Sequence, residues 1–144
     1  MKTRTAAGFI LARFVDGEPR YLLLRGARSG DWLPPKGHTD NDTDTVEATA
    51  RRETEEEAGI TELRVVQGFE RSIEYDVETA KRGRYRKRVT YLLATTGTEG
   101  VTCSDEHTDA GWFGLDEAIR KISFEQMRDV LRAADAHLRA TLPR

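Results

Sequence analysis

Four glutamates stand between positions 53 and 57 of the stretch RRETEEEAGI, residues 51–60. The stretch ends a segment that reads as a helix from about Thr45 to Ala58, with Asp44 and Glu47 at capping-box spacing and Gly59 as the stop. At about 100° per residue, Val46 and Ala50 mark a small apolar stripe, and Glu53 and Glu57 project along nearly the same azimuth. Glu56 lies about a quarter-turn away, whereas Glu47 and Glu55 point elsewhere. An ordinary solvated acidic face, supported at i,i+4 by Arg51 and Arg52, would put its glutamates opposite the apolar residues. Here two of them continue the stripe. Glu53, Glu56 and Glu57 stand at i, i+3 and i+4, where like charges raise one another's pKa unless cations neutralise them. A hard divalent ion does this best, because carboxylate oxygens are its preferred ligands and magnesium keeps positions open for water and phosphate.

The remaining pattern supplies a sheet for this helix to pack on. AAGFILARFV and RYLLLR are apolar runs separated by DGEP, and read as a β-hairpin. The segment GARSGDWLPPKGHTDNDTD, broken by two prolines and three glycines, reads as a long loop, and loops of that length are usually functional. TELRVVQGF and RSIEYDV read as two strands, and KRVTYLLATT as a third reached through the basic tip ETAKRGRYRK. GWFGL suggests a short strand and DEAIRKI a short helix. Ser123 and Gln126 stand at capping-box spacing before a helix whose Met127, Val130, Leu131, Ala134 and Leu138 would face the sheet. With no repeats and no linker composition, residues 1–144 read as a single mixed α/β domain.

Composition excludes several classes of function. Net charge is −2 with 33% charged residues, so no global basic excess points to nonspecific nucleic-acid binding, and an anion site must be local. Cys103 is the only cysteine, which rules out an internal disulfide framework and a multi-cysteine zinc site. The apolar stretch in MKTRTAAGFILARFV is shorter than a membrane span and lacks a cleavage region, so a cytoplasmic protein without membrane association is the expectation.

From Gly37 to Ile60 the sequence G-x6-D-x7-R-E-T-x-E-E-x-G-I resembles the signature of the Nudix hydrolases, which cut a nucleoside diphosphate linked to another group. Arg52, Glu53, Glu56, Glu57, Gly59 and Ile60 match the core of that signature. The loop is one residue longer than the family pattern, Asp44 stands where the family has glutamate, and Thr54 replaces a bulky apolar residue. Asp44 is open to two roles, N-cap or salt-bridge partner. The resemblance implies an α/β/α sandwich with a mixed sheet, and Mg2+, or Mn2+ in its place, held by Glu53, Glu56 and Glu57. It also implies that Arg52 orients a neighbouring carboxylate, although an i,i+4 partnership with Glu56 is the simpler reading. A distant-loop glutamate often assists in the family, and Glu106 is the candidate, the alternative being an exposed loop carboxylate.

DWLPPKGH, VVQGFERSIEY, KRVTYLLA and DEHTDAGWFGLDEA followed by SFEQM are similar, in the same order, to the branch that hydrolyses dinucleoside tetraphosphates asymmetrically, releasing ATP and AMP from diadenosine tetraphosphate. That likeness implies polyphosphate contacts from Lys36, His38 and Lys87 and adenine stacking on Tyr75 and Phe124. Read without it, His38 could cap a turn and the two aromatic residues could be core. Trp32 reads as packing, and Arg25 and Arg28 as further phosphate candidates. The basic residues 81–88 read as a solvated hairpin that could add attraction beside a tetraphosphate. The implied partner is a small nucleotide, with nucleic acid entering only as a triphosphate-ended RNA. Diphosphoinositol phosphates and nucleoside triphosphates remain open as substrates, as does a nucleotide-sensing module with little hydrolysis.

Overall fold

The computed structural model describes residues 2–39 and 44–142. Strands β1 (Thr3–Val15) and β2 (Glu18–Gly26) form the expected hairpin, with Asp16 and Gly17 at positive φ in its turn. The long loop is not wholly irregular: it contains β3 (Trp32–Leu33) and β4 (Lys36–His38), which pair with β2 and β1. Such short strands fall below any readable alternation, and the prolines between them obscured the pairing. Helix α1 spans Val46–Ala58 and is followed by β5 (Arg64–Thr79) and β6 (Gly83–Thr95). The two strands read from TELRVVQGF and RSIEYDV are one, β5, interrupted by a bulge between Val65 and Glu70 where Gly68 takes φ 88°. Strand β7 (His107–Phe113), α2 (Leu115–Lys121) and α3 (Glu125–Thr141) complete the order.

Among the described residues, seven strands make one mixed sheet in the order β3-β2-β1-β6-β5, with β4 attached to β1 and β7 to β2. Strand β1 runs parallel to β6 from Thr3↔Arg86 to Ala12↔Thr95, and the other pairings are antiparallel. Its unbroken apolar run is explained by burial on both faces. On one face Ala6, Ile10, Tyr21, Leu23, Val89, Tyr91 and Leu93 pack with Met127, Val130, Leu131, Ala134 and Leu138 of α3. On the other, Phe9, Leu11, Leu22 and Leu24 pack with Ala50 and Ala58 of α1 and Ile60. The sheet is therefore sandwiched between helices.

Two expected capping boxes are not formed. The N-cap of α1 is Thr45, whose hydroxyl accepts from Ala48 N at 3.0 Å, while Asp44 takes the alternative role of ion-pair partner to Arg52. Before α3 the N-cap is Phe124; Ser123 donates to Asp31 and Gln126 to the Glu74 carbonyl. Gly59 closes α1 at φ 71°, as its position suggests. Among the described residues, no helix is long and apolar enough to cross a membrane.

Candidate active site

Alternation along the strands sorts the site onto two sides of the sheet. Gly37, the middle residue of β4, faces α1, and a Cβ there would collide with the carboxylate of Glu53. Glycine at this position lets helix and strand close together. Glu53 and Glu57 are both largely buried, their side chains 13% and 12% exposed, whereas Glu56 is exposed. Thr54, where the signature carries a bulky apolar residue, is fully buried between helix and sheet. Glu57 Oε1 accepts from Lys36 N at 3.1 Å. Burial pushes the Glu57 carboxyl up to about 7; Lys36 opposes the rise, and Glu53 and Glu106 add to it.

Arg52 ties the loop to the helix. Its guanidinium donates to Asp44 Oδ2 at 3.0 Å and to the His38 carbonyl at 3.1 Å, and lies 3.6 Å from Glu53 Oε2. These partners lie across the loop entrance. The one-residue loop extension itself falls within residues 40–43, outside the described residues.

The cations gather on the opposite face. Lys36 pairs with Gly8 in register, and His38 with Ala6. Lys87 on β6 lies opposite Arg4 on β1 and Tyr75 on β5. Lys87 is 8% exposed, and burial together with the adjoining Lys36 ammonium depresses it to about 7. Burial, then the charges of Lys87, Lys36, Arg4 and Arg82, lower His38 to about 4, so its imidazole is neutral at physiological pH. Tyr75 and Phe124 face each other with ring centroids 6.0 Å apart at the edge of the larger core. Neither is sealed inside, and Tyr75 adjoins the cations as the register partner of Lys87.

Glu106 lies in the turn before β7, where its carbonyl accepts from Ala27 N at 2.8 Å. With Gly26, Ala27, Arg28 and Asp105 it lines a cleft of about 470 Å3. A wider surface cleft, about 640 Å3 and lined in part by Arg20, Asp116 and Asp135, contains none of the site residues. His107 was not singled out by any motif. Its Nε2 lies 3.9 Å from Glu57 Oε1, and its Nδ1 is 3.2 Å from Ser104 Oγ. Burial lowers its pKa, so the contact joins a neutral ring to the carboxyl. Only its place directly after Glu106 hinted at this proximity. Among the described residues, no three acidic, histidine or cysteine side chains already converge at metal-ligating distance.

A carboxylate-bearing helix on one side of a mixed sheet and a row of lysines on the other define a class. The NUDIX domain matches residues 2–134, and the chain belongs to that family. Within it, the chain is 38% identical over 133 residues to the asymmetrical bis(5'-nucleosyl)-tetraphosphatase of Rattus norvegicus, covering 88% of this chain and 86% of the relative. Identity to the enzyme of the same name from Caenorhabditis elegans is 32% over 136 residues, 92% and 95% of the two chains. The crystal structure of a C. elegans Ap4A hydrolase binary complex superposes with a TM-score of 0.84 at 31% identity, covering 95% of this chain and 98% of that one.

Proposed function

We propose that the chain hydrolyses a phosphoanhydride bond of dinucleoside polyphosphates in a reaction dependent on Mg2+, releasing ATP and AMP from diadenosine tetraphosphate. The observation that carries this reading is the juxtaposition of two largely buried groups of opposite charge, each crowded by like charges. Glu53 and Glu57 are held largely out of water, and Lys36 of β4 and Lys87 of β6 adjoin each other across β1. A polyphosphate with a dication satisfies both groups at once. The donor set suits a hard cation: all three candidate ligands, Glu53, Glu56 and Glu57, offer carboxylate oxygen, and the Gly37 cradle fixes the first of them. Bound there, the ion would neutralise phosphate charge and acidify a water.

The protein's own groups supply the rest. Lys36 and Lys87 draw the phosphates onto the sheet, and Arg52 holds Glu53 and the loop carbonyl of His38 in place. Tyr75 and Phe124 present rings on which an adenine stacks. Water attacks phosphorus, the bond to the departing phosphate oxygen breaks, and the proton passes to a carboxylate. Glu106, near enough to Glu57 to raise its pKa, is that acceptor. The test is product analysis with Mg2+ over a panel of dinucleoside polyphosphates, triphosphates, diphosphoinositols and triphosphorylated RNA. ATP plus AMP from diadenosine tetraphosphate supports the reading. Two ADP molecules, or turnover of another class alone, would overturn it.

A further inference from the structure

The two faces of the β5–β6 hairpin are charged in opposite ways. On the outer face Glu78↔Arg84, Asp76↔Arg86 and Glu74↔Arg88 are register partners, and Asp76 and Glu74 lie within 3.3–3.6 Å of those arginines. That face is self-neutralised. The inner face is not. Arg4 stands opposite Lys87, two residues before Ala6, the register partner of His38, and its guanidinium lies 5.9 Å from the Tyr85 ring centre. Arg4 Nε and His38 Nε2 are both buried without a hydrogen-bond partner among the described residues. Lys36, Lys87 and Arg82 complete the cluster, and the carboxylates of Glu57 and Glu106 offset only part of its effect on Lys87. Buried polar atoms without partners, within a group of like charges, are costly unless a ligand such as an anion meets them.

Resting on the polyphosphate reading, we propose that Arg4, held against Tyr85 and beside His38 and Lys87, is a specificity-determining phosphate subsite. It takes a phosphoryl group lying on the sheet face away from the α1 carboxylates, and so favours substrates with longer polyphosphate chains. A guanidinium suits this role because its planar fork of N–H donors matches phosphate oxygens while it keeps cation–π reach of the Tyr85 ring. The start of β1 is pinned beside β6 by Arg86 N donating to the Lys2 carbonyl at 2.8 Å, so Arg4 is presented by a paired strand.

The test is calorimetric titration of the full chain, in EDTA, with inorganic tripolyphosphate, alongside kcat/KM for dinucleoside tri-, tetra- and pentaphosphates with Mg2+. Arg4→Met keeps an unbranched apolar side chain beside Tyr85 and loses the guanidinium. It should bind tripolyphosphate about tenfold more weakly, as expected for one charge-assisted contact. It should also lower the pentaphosphate-to-triphosphate ratio of kcat/KM by a similar factor, mainly through KM. Arg4→Lys should recover part of both, and Arg84→Ala, on the neutralised face, should change neither. Undetectable tripolyphosphate binding by the parent, unchanged binding by Arg4→Met, or equal weakening by Arg84→Ala would overturn the proposal. Should no dinucleoside polyphosphate be hydrolysed, the proposed function fails while the tripolyphosphate titration still decides the subsite.

Discussion

Replacing Glu57 by glutamine should make the metal-free protein more stable while weakening its hold on a dication. In the folded state burial raises Glu57 from 4.5 to about 7. Its contribution is therefore intact below about pH 4.5 and is lost as pH rises through about 7. The full penalty on the ionised form is about 3 kcal/mol. Glutamine resembles the neutral acid and can still accept from Lys36 N, so it escapes that penalty. Urea unfolding in EDTA at a series of pH values should show parent and Glu57→Gln nearly equal at pH 4.5, and the variant about 2–3 kcal/mol more stable at pH 8. Lys87, depressed to about 7, has the opposite dependence: its penalty is full below about 7 and relieved as pH rises towards its unfolded value. The difference between the two proteins largely removes that term. Mg2+ at a hundredfold excess over its Kd should restore about 2.7 kcal/mol to the parent and much less to the variant. A flat difference curve across pH 4.5–8 would refute the buried-carboxylate argument.

Gly37→Ala should drive the new Cβ into the Glu53 carboxylate, cutting turnover at least about a hundredfold at a stability cost of about 1–3 kcal/mol; steady-state kinetics and thermal melts would separate the two. Tyr75→Ala should raise KM for diadenosine tetraphosphate about tenfold or more with a smaller change in kcat, as expected of a stacking contact, and a loss confined to kcat would contradict it. Tyr21→Phe removes the buried hydroxyl that donates to Asp135 at 2.6 Å, and chemical denaturation should show a loss of about 1–3 kcal/mol with kcat/KM unchanged.

Much of the scaffold could be read from local pattern. The β1–β2 hairpin is encoded by two apolar runs around a turn, and the α3 stripe by residues repeating at helical intervals, so neither depends on distant context. The inward pointing of Glu53 and Glu57 was legible for the same reason: a helix fixes azimuth from spacing alone. Helix caps were less so, because Thr45 and Asp44 are both competent and the loop decides between them; Arg52 draws Asp44 away. The parallel pairing of β1 with β6 joins residues more than 80 positions apart, and no local signal marks it. Arg4, Tyr85 and His107 therefore carry no motif; they enter the site only through register and turn geometry. The basic hairpin read as one solvated unit, but strand alternation divides it into a neutralised face and a cationic one.

The most direct test of the central claim is electron paramagnetic resonance of Mn2+ added to the protein with a non-hydrolysable diadenosine tetraphosphate analogue carrying 17O in its phosphates. A protein-bound Mn2+ signal broadened by the labelled oxygens is expected for the parent, and a largely free-ion spectrum for the Glu53→Gln, Glu57→Gln double variant. Equal Mn2+ occupancy in the double variant, or bound Mn2+ with no 17O broadening in the parent, would contradict that claim.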